Sequence, residues 1–107
     1  MDHKGFPCIV VLSTAPPGDA DRIARILLEE HLIACVNITG VQSRYTWNGE
    51  PCLENENLMI MKTVESRLNA LIERIREIHP YETPEIIALP IVGGYGGYLG
   101  WVVEETG

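Results

Sequence analysis

Apolar and polar positions alternate over the longest stretch between Ile33 and Thr63. The chain there reads IACVNITGVQSRYTW, then Asn48-Gly49, then EPCLENENLMIMKT. Asn-Gly between two extended runs is a strong hairpin signal, because a type I′ turn needs φ > 0 at both central residues. Period two places Ala34, Val36 and Ile38 on one side of the first arm. Cys35, Asn37, Thr39, Val41, Ser43, Tyr45 and Trp47 fall on the other. Each arm is about 13–15 residues, against a usual strand of about 5–6. At about 3.3 Å per residue an unbroken arm reaches about 45 Å, whereas a domain of this size has a radius of gyration near about 13 Å. The outer half of the hairpin must therefore bend back, remain in solvent, or pair with another chain.

The flanking patterns supply the other elements. Cys8-Ile-Val-Val-Leu-Ser13 is a continuous apolar run suited to a strand inside a sheet. Pro16-Pro17-Gly18 ends it, and Asp19 is placed as a helix N-cap with Asp21 beside the positive end of the helix dipole. Ala20, Ile23, Ala24, Leu27 and His31 recur at helical spacing, so a first helix is expected over about 19–31. Ser66 is the expected N-cap of a second helix. Its stripe is Leu68, Leu71, Ile72, Ile75 and Ile78, and His79-Pro80 stops it. Residues 85–92 read as a fourth strand, Gly93–Gly97 as a loop, and Tyr98–Glu105 as a short closing helix.

This order, β-α-β-β-α-β with a small tail, describes an α+β fold: a ferredoxin-like βαββαβ sandwich with a long hairpin and a short C-terminal helix. Right-handed crossovers put both main helices on one face of an antiparallel sheet. The strands nevertheless carry apolar residues on both faces, so another subunit is expected to cover the second face and receive the surplus hairpin.

Composition narrows the function classes. The 107 residues suggest one domain spanning 1–107. Hydrophobic residues make up 46% and charged residues 21%, enough to build a core. No apolar run approaches a membrane span, and MDHKGFP lacks the apolar stretch of a signal peptide. The net charge of −7 argues against nucleic acid and anionic membranes as partners. Cys8, Cys35 and Cys52 are odd in number with no CxxC spacing, so a reduced, cytoplasmic setting is expected rather than a disulfide framework. Cys8 and Cys35 read as small buried apolar residues on strands.

The densest polar constellation is His79-Pro-Tyr81-Glu82-Thr83-Pro84-Glu85. Imidazole beside carboxylates suits Zn, Cu(II) or Ni(II), which makes His79, Glu85 and Glu82 the candidate metal ligands. A purely structural role also fits, since the helix dipole favours a histidine at a C-terminus and the prolines fix the turn. Glu54 and Glu56 share one face of the second hairpin arm, where an ion-pair cluster with Arg44 competes with an acidic metal site. Gly93–Gly97 is not followed by Lys-Ser/Thr, so it is a strand-to-helix turn and not a phosphate loop. The strand CIVVLS presents no aromatic for an RNA-recognition surface. No nucleophile–base pair emerges from spacing, so no catalytic residue and no required cofactor is assigned. A hydrolase or isomerase using His79 and Glu82 stands as a weaker alternative.

Several short motifs occur in a characteristic order: Leu12-Ser-Thr-Ala-Pro16, Ala34-Cys-Val36, Tyr45-x-Trp47-x-Gly49, Lys62-Thr63, His79 to Glu85, Ala88-Leu-Pro90 and Tyr98-Leu-x-Trp101. In this the chain resembles the CutA family, the divalent-cation tolerance proteins, over about residues 8–103. The resemblance implies a fold similar to the PII signalling proteins, a tight homotrimer built through long hairpin strands, association with copper tolerance, binding of divalent metals and no established catalysis. It equally admits a PII-like sensor that binds a small ligand at subunit clefts and acts on a protein partner, with Gly93–Gly97 as its mobile element. Some members carry cysteine where this chain has Ser13, and two successive histidines where it has Ile78-His79. The resemblance therefore implies a metal site here that rests on His79 with carboxylate oxygens.

Overall fold

The computed structural model describes residues 7–107. Chain order is β1 (Cys8–Ala15), α1 (Pro17–Glu29), β2 (Cys35–Trp47), β3 (Glu50–Val64), a 3₁₀ turn (Glu65–Arg67), α2 (Leu68–Ile78), β4 (Ile86–Pro90) and α3 (Gly96–Glu105). The strands form one antiparallel sheet in the order β2-β3-β1-β4, as the βαββαβ pattern requires.

β1 and β3 take the two central positions because both alternate buried and half-buried residues along most of their length. Ile9, Val11 and Ala15 point to the same side as Met59 and Met61. There they meet Ala20, Ile23 and Leu27 of α1 and Leu71 and Ile75 of α2. Fully burying each Ile or Leu of this layer contributes about 1.5–3 kcal/mol. α3 folds back over one end of the opposite sheet face, where Leu99 and Val102 enclose Cys8 and Val64. Burial raises the Cys8 thiol above the usual range, as expected for a structural cysteine. Thr106 Oγ1 donates to the Val102 carbonyl at 2.9 Å, and Arg67 Nε donates to the Thr106 carbonyl at 2.8 Å, tying down the helix end.

Both hairpin-turn residues have φ > 0, with Asn48 at 51° and Gly49 at 79°. The register runs unbroken from Trp47↔Glu50 to Cys35↔Lys62. The ladder therefore carries no bulge, and the chain measures 47 × 25 × 22 Å with a radius of gyration of 14.6 Å. The outer half of the hairpin projects beyond the helix layer, leaving Tyr45, Trp47 and Leu53 exposed. Ile87 and Leu89 of β4 are exposed as well.

Several local expectations are corrected. α1 starts at Pro17, which occupies the first turn where a missing N–H costs nothing, so Asp19 lies inside the helix and bonds Arg22 instead of capping. α1 ends at Glu29. His31 stands past it with φ 57° and does not continue the stripe. Ser66 lies within the 3₁₀ turn and makes no cap bond. β1 extends to Ala15, β4 is shorter than 85–92, and α3 begins at Gly96 inside the glycine run. Arg44 pairs with Leu53 in the ladder and so faces away from Glu54 and Glu56, and among the described residues no ion pair joins them.

Candidate functional site

The apolar stripe of α2 ends at Ile78, and the chain turns through residues 79–85 toward β4. His79 closes the helix, its N–H donating to the Ile75 carbonyl at 2.8 Å. Arg22 bridges from α1 to the Ile78 carbonyl at 3.0 Å, which anchors the loop to the helix layer. The His79 ring is buried, and both its nitrogens are engaged. Nε2 donates to the Thr14 carbonyl at 2.7 Å, and Nδ1 accepts the Tyr81 backbone N–H at 3.0 Å. A carbonyl is an acceptor alone and an amide N–H a donor alone, so this pair of partners selects the Nε2–H tautomer.

The Tyr81 ring packs on His79 with centroids 4.9 Å apart, and its hydroxyl donates to Glu56 Oε2 at 2.8 Å. A continuous path of contacts thus runs from Thr14 on β1 through the loop to Glu56 on β3. Glu56 is 5% exposed, although it sits on the face away from the main helices. Burial first, and then the Glu56 hydrogen bond, push the Tyr81 hydroxyl above the ordinary tyrosine range. Tyr45 is also shifted up, by desolvation and then by the neighbouring Cys52 and glutamates.

Between the loop and the hairpin lies a cleft of about 1010 Å³. β2 contributes Ser43, Tyr45 and Trp47 to its lining, β3 contributes Cys52, Glu54 and Glu56, and residues 80–85 form the opposite wall. Of the expected metal ligands, Glu82 and Glu85 line this cleft with exposed side chains. His79 stands behind Tyr81, with its nitrogens turned to the backbone. Among the described residues, no three His, Cys, Asp or Glu side chains converge on a point that would hold an ion. As folded, His79 can ligate an ion only by releasing the Thr14 carbonyl or the Tyr81 amide. Ser13 precedes Thr14 on β1 but does not line the cleft. It shares the inner face of β1 with Val11, is fully buried, and its Oγ has no hydrogen-bond partner among the described residues. A cysteine at that position would face the core and not the cleft.

Sequence reasoning missed the Tyr81–Glu56 pair and the aromatic wall of Tyr45 and Trp47. One signal was present: Glu56 falls on the same strand face as Leu58 and Ile60, and a carboxylate there needs a specific partner.

A four-stranded antiparallel sheet with two crossover helices, a long projecting hairpin and a cleft beside the hairpin's outer half makes this a ferredoxin-like α+β protein. The family description "CutA1 divalent ion tolerance protein" matches residues 8–105, and the chain belongs to that family. It is 47% identical over 100 residues to the "Divalent-cation tolerance protein CutA" of Thermus thermophilus, covering 92% of this chain and 97% of that one. The solved "PII-like protein CutA" of a Nostoc species superposes with a TM-score of 0.89 at 40% identity, covering 92% and 97% of the two chains. The "Periplasmic divalent cation tolerance protein CutA" of Archaeoglobus fulgidus superposes with a TM-score of 0.91 at 36% identity, covering 94% and 99%. The Thermus and Archaeoglobus relatives are named for divalent-cation tolerance. No described helix is long and apolar enough to cross a membrane.

Proposed function

We propose that this chain is a homotrimeric, non-enzymatic protein of divalent-cation tolerance acting in the cytoplasm. The observation that carries the assembly is the hairpin: an unbroken ladder from Cys35↔Lys62 to Trp47↔Glu50, with exposed Tyr45, Trp47 and Leu53 on its outer half. The long outer edge of β2 offers unpaired backbone groups beside these side chains, and a closed three-fold ring of identical chains satisfies both. Sedimentation equilibrium tests this, with a trimer expected and a monomer at micromolar concentration overturning it. Support for the cation role comes from the tolerance names of the relatives and the carboxylates on the loop. Holding Cu(II) or Zn through His79, Glu82 and Glu85 requires the His79 ring to give up one of its two hydrogen bonds. Calorimetric titration of both metals into the wild type and His79→Ala measures whether it does. Equal binding by the two proteins moves the site elsewhere, first to Met1-Asp2-His3, which lies outside the described residues.

A second reading has a specific observation in its favour. The cleft is far larger than an ion and falls at the upper end of the range for small-molecule pockets, about 300–1,000 Å³. That suits a sensor which takes up a small ligand and signals to a protein partner. Saturable thermal stabilisation by an organic compound would favour it, since a ligand bound to the native state raises its stability.

A further inference from the structure

Of the five asparagines in the chain, only Asn48 is followed by glycine. Asparagine is chemically labile, because the main-chain nitrogen of the next residue can attack its side-chain carbonyl carbon. A side chain on that next residue obstructs the attack, and glycine has none. Asn37, Asn55 and Asn57 lie within β2 and β3, ahead of Ile38, Glu56 and Leu58, and Asn69 lies within α2, ahead of Ala70. In those places a strand or helix holds the backbone and a side chain stands on the attacking residue.

The hairpin turn is the opposite case. Asn48, Gly49 and Glu50 are all exposed. The ladder closes at Trp47↔Glu50, which leaves the Gly49 N–H outside it, and among the described residues no turn hydrogen bond uses that N–H. Apart from the chain neighbours, no described atom lies within 4 Å of where a Gly49 Cβ would stand, so nothing packs over the turn. Attack requires the Asn48–Gly49 peptide to leave the turn geometry. At the free end of a hairpin only the terminal pair Trp47↔Glu50 has to open, and such fraying costs far less than global unfolding. A neighbouring chain that pairs along β2 does not hold the turn either. Asn48 and Gly49 have φ > 0, whereas a ladder needs extended backbone, so strand addition ends at Trp47.

We propose that Asn48 is a site of spontaneous modification, converted to an isoaspartyl linkage through a cyclic imide. The deprotonated Gly49 nitrogen bonds to Asn48 Cγ. The Cγ–Nδ2 bond breaks, and Nδ2 takes up a proton and leaves as ammonia. Water then adds to one carbonyl of the imide and opens it, with nothing oxidised or reduced. Opening at the main-chain carbonyl leaves the chain running through Cγ, and opening at Cγ leaves ordinary aspartate. Either product adds a negative charge beside Glu50 to a chain already at −7. The isoaspartyl product also inserts a methylene into the backbone of a two-residue turn whose length fixes the register. The outer ladder, where Tyr45, Trp47 and Leu53 stand, loosens as a result.

Incubation of the full-length protein in its native assembly, at neutral and at mildly alkaline pH, tests this. Isoaspartyl methyltransferase with labelled S-adenosylmethionine marks the new carboxylate, and peptide mass spectrometry locates it. The expected result is label that accumulates at position 48, faster in alkali because the attacking nitrogen must be deprotonated. Asn48→Gly keeps a residue suited to φ > 0 and lacks the carboxamide, so it should fold and take up no label. Amides between Tyr45 and Leu53 should exchange hydrogen faster in the modified protein than in fresh protein. Absence of label at position 48 in the native protein overturns the proposal. Equal labelling at Asn55 or Asn57 overturns it too, since the turn would then confer nothing. Unchanged amide exchange in fully modified protein would overturn the loosening of the ladder.

Discussion

Replacing Ser13 by Ala should make the protein more stable, although it removes a polar group in the middle of a central strand. Ser13 is fully buried, sits between Met59 and Ile86 in the ladder, and its hydroxyl has no partner among the described residues. A buried donor or acceptor left unpaired costs about 1–3 kcal/mol. Deleting one oxygen forfeits a few dispersion contacts of about 0.1–0.2 kcal/mol each and leaves a void smaller than a methyl group. Desolvation outweighs the lost contacts, and a net gain of about 1 kcal/mol is expected. Urea unfolding of both proteins at one fixed chain concentration reads this as a higher midpoint with unchanged slope. The fixed concentration matters because association shifts apparent stability by mass action. A variant destabilised by about 0.5 kcal/mol or more would show that the hydroxyl is satisfied in solution and that the packing argument is wrong. Ser13→Cys should be tolerated similarly and should confer no new metal affinity, because a thiol there faces the core.

Gly49→Val forces a β-branched residue to φ 79° beside Asn48 at 51°, and should cost about 1–3 kcal/mol in the same unfolding assay; an unchanged midpoint would mean that the turn relaxes freely. Tyr81→Phe leaves Glu56 buried without its donor and should destabilise by about 1–3 kcal/mol at neutral pH. The wild type should also lose stability in base. The Tyr81 hydroxyl is raised on folding, so its contribution is complete below the ordinary tyrosine value of about 10 and is lost as pH rises through the folded value. Tyr81→Phe should flatten that alkaline slope in pH-dependent melts, and equal slopes would dissociate the phenol from it. Arg74→Met removes a two-pronged contact with Glu30 at 2.9–3.1 Å that links α2 to the end of α1. It should lower the unfolding midpoint only slightly, and less in high salt.

Much of the fold was legible in the sequence because it depends on local periodicity. Period two with Asn48-Gly49 specified the hairpin, its turn and its register. The 3.6 stripes of Ile23, Leu27, Leu71 and Ile75 specified which helix faces meet the sheet. The element order then left one reasonable topology. Helix starts were less legible: Pro17 and the 3₁₀ turn at Glu65–Arg67 displaced Asp19 and Ser66 from the cap positions, since several polar residues compete there over small energies. The site was visible only as a list of chemistries, His79 to Glu85. Which of them face each other depends on contacts between residues far apart in the chain, and periodicity carries no information about those. Tertiary structure turned the His79 ring to the Thr14 carbonyl and the Tyr81 amide, sent the Tyr81 hydroxyl to Glu56 from 25 residues away, and placed Ser13 in the core. The physical reason is that hydrogen bonds and burial in a packed interior are settled by three-dimensional neighbours, whereas helix and strand faces are settled by neighbours in sequence.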